Sequence, residues 1–239
     1  MDVLKIIDRY FEILINCKLF ENIGKDRLEA ALLYYDADCC EYKKGDFLIN
    51  AGEKMTRFGL VLSGCVQALA DDIEGNRMIM ANVTAKNSFG EALCYLEIPE
   101  PSVYIMASKD STVLWLSSEN LRKNARVSDA SMAFTLRDNF TALLSLRTLQ
   151  MNRRIQILSK LSIREKILTF LAEIYGLDFP AIPDEGENAG GSGRKITVPM
   201  NREDMAAYIG TNRSSLSREL AAMKACGIID YHKNEFIIK

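Results

Sequence analysis

No proline or glycine occurs between Ser128 and Leu158, and apolar residues recur through this stretch at three- and four-residue steps: Met132, Leu136, Phe140 and Leu143, then Met151, Ile155 and Leu158. That is the period of one helix face. A helix of about 30 residues is about 45 Å long at 1.5 Å per residue, more than a small domain needs to cover its own sheet. Leu143, Leu144 and Leu146 place apolar surface on more than one side. The expectation is a rod that packs on its own domain and also on a second copy of itself.

What precedes the rod reads differently. Residues 41–118 hold short apolar pieces separated by turn residues at Lys44-Gly45-Asp46, Ala51-Gly52-Glu53, Ser63-Gly64 and Asp72-Ile73-Glu74-Gly75-Asn76. The pieces Phe58–Leu62, Arg77–Val83, Val103–Ala107 and Thr112–Leu116 are rich in Val, Ile, Leu and aromatics. Short strands at this spacing predict an antiparallel sandwich or roll. The first 35 residues read as helical, with Asp26-x-x-Glu29 as the start of a second short helix.

After the rod, Ser162-Ile-Arg-Glu165 has capping-box spacing and opens a helix over Ile163–Tyr175 that Gly176 can close. The segment from Asp178 to Gly193 is rich in Pro, Gly and acids and reads as a loop between this helix and the next strand. The predicted architecture is α+β: an antiparallel roll with N-terminal helices over 1–127, a long dimerisation helix over 128–158 and a C-terminal domain over 159–239.

Composition narrows the chemistry. The chain of 239 residues is 48% hydrophobic and 26% charged, which argues for a packed core. No run of apolar residues is long enough to span a membrane, and the start of the chain lacks a secretory pattern, so a cytoplasmic protein is expected. The one histidine, His232, removes multi-His metal sites and with them most metal hydrolases. The six cysteines, Cys17, Cys39, Cys40, Cys65, Cys94 and Cys226, include no C-x-x-C pair and read as reduced thiols. Residues 151–239 hold 13 Lys and Arg against 11 Asp and Glu, whereas the overall balance is −2. A mildly basic C-terminal part suits a polyanionic partner.

Residues 201–226 identify that partner. Asn201-Arg-Glu-Asp204 can cap a helix, Met205 and Ile209 form an i,i+4 apolar pair, Gly210 permits a tight turn, and Thr211-Asn212 can cap a second helix. In that helix Leu216, Leu220 and Met223 face inward, which leaves Arg213, Ser214, Ser217 and Arg218 on the other side. A helix-turn-helix needs this division, because one face locks the recognition helix while the other reads base edges in the major groove of double-stranded DNA. Gly227 ends the helix. Ile228–Tyr231, Lys233-Asn234 and Glu235–Ile238 then read as a hairpin, which makes a winged helix-turn-helix with Lys233 and His232 near the tip.

The order of roll, long helix and winged helix-turn-helix resembles the Crp/Fnr superfamily of bacterial transcription regulators, named for the cyclic-AMP receptor protein and the fumarate-nitrate-reduction regulator. Matching segments are Lys44-Gly-Asp46 with Ala51-Gly-Glu53, Leu60-Val-Leu-Ser-Gly64, Ser88-Phe-Gly-Glu-Ala92 and Glu203 through Leu220. The resemblance implies a homodimer joined along the long helix, bound to a two-fold symmetric operator, with RNA polymerase as a further candidate partner and no catalytic residues. By position it implies base readout by Arg213, Ser214, Ser217 and Arg218 and phosphate contacts from Asn201, Arg202 and Asn212. Ser214 stands where many members carry Glu, so the usual half-site sequence is not expected.

The sensor departs further. Cyclic-nucleotide-binding members pair Phe-Gly-Glu with an Arg that neutralises the cyclic phosphate, and Phe89, Gly90 and Glu91 are retained here. The chain has Glu100-Pro101-Ser102-Val103 where the arginine belongs. Phe89, Gly90, Glu91 and Ser102 remain the candidate effector pocket, and cyclic AMP in the usual mode is not expected. The expected effector is an unidentified small molecule. A redox- or iron-sulfur-responsive regulator of the same fold is the alternative reading. A cupin-like enzyme is the other, although residues 1–150 supply no histidine for its metal.

Overall fold

The computed structural model describes residues 3–71, 74, 77–123, 129–175, 194–198 and 200–238. The expected turn at 72–76, apart from Glu74, lies outside the described residues, as do the stop at Gly176 and the 178–193 loop. The chain divides into two compact units, one up to Leu146 and one from Arg147. No described helix is long and apolar enough to cross a membrane.

The first unit opens with α1 (Val3–Ile15), a 3-10 turn at Lys18–Phe20 and α2 (Lys25–Tyr34). Here the expected start at Asp26 is corrected: α2 begins at Lys25, and extended Gly24 is the N-cap with no side-chain hydrogen bond. Asp26 instead lies in the first turn, where its charge faces the positive end of the helix.

Eight strands follow: β1 (Asp38–Tyr42), β2 (Phe47–Ile49), β3 (Arg57–Ser63), β4 (Cys65–Asp71), β5 (Arg77–Thr84), β6 (Ser88–Phe89), β7 (Val103–Ala107) and β8 (Ser111–Ser117). A short α3 (Glu91–Tyr95) leaves β6, and α4 (Glu119–Arg122) follows β8. The strands form two antiparallel sheets, ordered β1-β8-β3-β6 and β2-β7-β4-β5. This is the expected double-layered roll.

Period-2 alternation explains why β3 and β8 are buried nearly throughout. Val61, Val113 and Trp115 point between the two sheets, where they meet Val66, Phe89 and Ile105. Phe58, Leu60, Leu62, Leu114 and Leu116 point the other way, against Leu14, Leu28, Leu32 and Tyr35 of the N-terminal helical segment. Each such side chain taken out of water contributes about 1.5–3 kcal/mol.

The rod is α5 (Ala130–Leu158). Met132, Leu136 and Phe140 are buried on the first core, and Leu143 and Leu144 pack at its edge. Phe140 lies 5.6 Å from Phe58, ring centre to ring centre. Asn139, almost fully buried, donates through Nδ2 to the carbonyls of Leu19 (3.2 Å) and Glu21 (2.7 Å), which fixes the 3-10 turn to the helix. Further along, Ile157 enters the second core, whereas Phe134, Leu146, Leu149, Met151, Ile155 and Leu158 are exposed.

The second unit adds α6 (Ile163–Tyr175), β9 (Arg194–Thr197), α7 (Arg202–Tyr208), α8 (Arg213–Ala225), β10 (Ile229–His232) and β11 (Glu235–Ile238). The strands form an antiparallel sheet ordered β10-β11-β9. The capping box is formed: Glu165 N–H donates to Ser162 Oγ and Ser162 N–H donates to the Glu165 carboxylate, each at 3.1 Å. Ile157, Ile167, Phe170, Leu171, Met205, Ile209, Leu216, Leu220, Met223 and Phe236 make one core.

Candidate nucleic-acid interface

The helix-turn-helix is built from its caps. Asn201 Oδ1 accepts from Asp204 N–H at 2.9 Å and starts α7. Asn212 Oδ1 accepts from Ser215 N–H at 2.8 Å and starts α8. Between them Gly210 has φ +67, the left-handed value that the turn demands. Met205 and Ile209 of the first segment and Leu216, Leu220 and Met223 of the second are all buried, as their spacing predicts.

Arg213, Ser214, Ser217 and Arg218 are all exposed on the other side of α8. Arg218 Nη2 donates to Ser215 Oγ at 3.3 Å, and Ser214 Oγ donates to the cap oxygen of Asn212 at 2.7 Å. Behind this face, Arg164 Nε of α6 donates to Glu219 Oε1 at 2.8 Å. That carboxylate raises the Arg164 guanidinium above its ordinary value. The pair holds the recognition helix to α6, a link absent from any local motif.

The wing closes the other end. Lys224, in the last turn of α8, pairs with Asp230, donates to the Tyr231 carbonyl at 3.3 Å and lies 5.2 Å from the Tyr231 ring centre. Arg202, expected to be free for phosphate, is half-buried: its guanidinium lies 4.6 Å from the Phe236 ring centre and 5.2 Å from that of Tyr231. Its Nη2 donates to the Lys233 carbonyl. Burial lowers the guanidinium from its ordinary value, offset in part by Tyr231. Asn201, Arg202, Glu203, Arg213, Lys233 and Asn234 surround an open cleft of about 460 Å³. Of these six, the sequence pointed to Asn201, Arg202 and Arg213 as site residues and to Lys233 only as part of the wing tip. Glu203 and Asn234 carried no signal beyond their places at a helix start and in a turn.

The candidate effector residues are placed differently. Phe89 is buried and meets Trp115 edge to face at 5.5 Å, and Trp115 Nε1 donates to the Tyr42 hydroxyl at 2.9 Å. Glu91 is buried and accepts from Ser88 Oγ. Gly90 has φ +78, and a Cβ there would lie 2.2 Å from Met55 Cε, so the Met55 side chain covers the glycine. Met55 itself is almost fully buried, and sequence reading passed it over. Pro101 is buried, and Ser102 is exposed. By the resemblance the cation for a cyclic phosphate belongs at Pro101, which is buried and carries no charge, and Met55 covers Gly90, so the residues present do not fit a cyclic nucleotide.

Nor do the described residues bring three or more His, Cys, Asp or Glu side chains into a group that could hold a metal. Cys17, Cys39, Cys65 and Cys94 are buried, Cys40 is half-buried and Cys226 is exposed. Burial pushes the Cys17 and Cys39 thiols up to about 11.

Comparison with known proteins agrees with this architecture. Residues 39–126 match the cyclic nucleotide-binding domain family, and residues 165–239 match the Crp-like helix-turn-helix domain family. The cAMP-activated global transcriptional regulator CRP of Pasteurella multocida is 23% identical over 198 residues, 83% of this chain and 88% of that protein. Among solved structures, the c-di-GMP responsive global regulator CLP of Xanthomonas campestris superposes with a TM-score of 0.53 at 17% identity, covering 86% of this chain and 95% of that one. FixK2 of Bradyrhizobium japonicum gives 0.50 at 21% identity, covering 85% and 92%. These structural likenesses show the fold. The two domain matches, in their order along the chain, and the relatedness to CRP identify the chain as a Crp-type protein, a cyclic nucleotide-binding domain followed by a Crp-like helix-turn-helix domain.

Proposed function

We propose that this chain is a homodimeric, sequence-specific DNA-binding transcription regulator that reads a two-fold symmetric operator, one recognition helix per half-site. The observation that carries the proposal is the exposed face of Arg213, Ser214, Ser217 and Arg218 on a helix held by Leu216, Leu220, Met223 and the Arg164–Glu219 pair. Arg213 and Arg218 suit bidentate bonds to guanine, and the serines are less selective. Asn201, Asn212 and Lys233 meet backbone phosphate, Lys233 from a turn whose carbonyl accepts from Arg202. The domains are a sensor over 1–127, a dimerisation helix over 128–158 and a DNA-binding domain over 159–239.

The dimer is supported by α5, whose exposed Leu146, Leu149, Met151 and Ile155 belong to none of the cores among the described residues. Symmetry in the protein is then matched by symmetry in the operator. A regulator of this kind acts where the chromosome is, in the bacterial cytoplasm, and is not an enzyme. Control comes from an effector other than cyclic AMP, acting by a shift between dimers with different spacing of the two recognition helices. CLP, of the same fold, responds to c-di-GMP, so the architecture accommodates effectors of other kinds.

Selection of duplexes from a random pool, followed by sequencing, tests the reading. Enrichment of an inverted repeat with half-sites about 10 base pairs apart, or a multiple of that, is expected. Enrichment of an asymmetric motif would contradict the dimeric operator, and no enrichment would contradict specific recognition.

A further inference from the structure

We infer that Arg202 acts on DNA through the wing, by holding the Lys233 turn against the start of α7 so that the Lys233 ammonium is presented to a backbone phosphate. The inference rests on the DNA-binding reading above and divides the work of two cations that border the same cleft.

Three observations carry it. Lys233 has φ +51, a left-handed conformation that is unfavourable for a residue with a Cβ, so a hold on this turn limits its escape to other conformations. Arg202 supplies that hold at the strained residue itself, through the hydrogen bond from Nη2 to the Lys233 carbonyl. Its guanidinium also covers Phe236 and Tyr231, one on each strand of the hairpin, and cation–ring contacts of this kind strengthen as the cation leaves water. The Lys224 contacts to Asp230 and Tyr231 fix the β10 strand from the far end of α8, so the tip is the part left for Arg202 to fix. The Lys233 side chain, by contrast, is exposed and borders the cleft opposite α8. Arg202 is therefore a positioning residue, and Lys233 is the contact.

The test is a fluorescence-anisotropy titration of one labelled 40-base-pair duplex, the best binder recovered from a random pool by the unmodified protein, at about 50 and 200 mM salt. R202M, K233A and the double variant are compared with the parent, each with its melting temperature. R202M and K233A are each expected to weaken binding by about fivefold and to lower the salt slope by about 1.8, the value for one phosphate at each of the two half-sites. The double variant is expected to match K233A within about twofold, because Arg202 has no effect left once Lys233 is gone. Losses that multiply, with the slope of the double variant falling by about 3.6, would make Arg202 a phosphate contact in its own right and overturn the inference. Parental affinity in R202M would overturn it as well. Should R202M fail to fold, R202K decides: lysine keeps the charge but lacks the planar fork, so it is expected to lose the same fivefold or so, and parental affinity in R202K would overturn the proposal. If the parent recovers no duplex at all, the DNA-binding reading fails first.

Discussion

Leu158 Cδ2, at the end of α5, lies 2.7 Å from where a Cβ on Gly210 would sit. The last residue of the long helix is thus packed into the turn of the helix-turn-helix, and that turn requires the left-handed backbone of Gly210. Gly210→Ala carries the conformational penalty, about 1–2 kcal/mol, whereas the tip of the exposed Leu158 side chain can turn aside at small cost. Urea unfolding is expected to show a loss of about 1–2 kcal/mol. Adding Leu158→Ala should not recover it. A double variant restored to parental stability would mean that the contact with Leu158, and not the backbone, sets the constraint.

Arg213 and Arg218 are exposed and outside the core, so replacing either with alanine should leave the melting temperature within a few degrees of the parent. Specific binding to a selected operator is expected to weaken by about 1–3 kcal/mol in each case, with relaxed preference at one base position. An unchanged affinity would remove that arginine from the readout.

Burial of Cys17 raises its thiol from 9.0 to about 11, and the buried form is the neutral one. In the unfolded chain the same thiol ionises near its ordinary value, so between pH 9 and pH 11 the folded state holds more protons. Stability contributed by this group is complete below pH 9 and is lost as pH rises through about 11, by about 2–3 kcal/mol in all. Urea unfolding from pH 8 to pH 11 should show a fall to which the Cys39 thiol, also raised by burial, adds, and Cys17→Ala should make it shallower by the Cys17 share. Equal slopes in parent and variant would show that Cys17 has no share in it.

In the roll, Met55 covers Gly90, and the position at which the resemblance implies a phosphate-binding arginine is the buried Pro101. Calorimetry with cyclic AMP or cyclic GMP is expected to give no heat of binding at micromolar nucleotide. The double variant Pro101→Arg with Met55→Ala supplies the cation and uncovers the glycine, and is expected to gain measurable affinity. Micromolar binding by the unmodified protein would contradict this account of the sensor.

Local pattern carried most of the fold. Val103–Ala107 and Ile163–Tyr175 have the bounds that apolar period and capping box predict, and β3 and β8 extend one residue beyond prediction at each end because their mutual pairing continues past the apolar run. The strand Asp38–Tyr42 is less visible, since Asp38-Cys-Cys-Glu-Tyr42 has little apolar alternation and is held by pairing with β8. At the site, the caps Asn201 and Asn212 and the inward triad of α8 are local features, readable from spacing of three and four. Arg202 over Phe236, Arg164 to Glu219 and Met55 against Gly90 join residues far apart in the chain. No periodicity marks such pairs; only the folded backbone brings them together.

The most direct measurement of the central claim is the affinity of the full chain for a selected palindromic duplex, read by anisotropy at two salt concentrations beside analytical ultracentrifugation of the same complex. One dimer per duplex is expected, with an affinity that falls steeply as salt rises from about 50 to 200 mM. A monomer on the duplex, or binding that salt leaves unchanged, would contradict it.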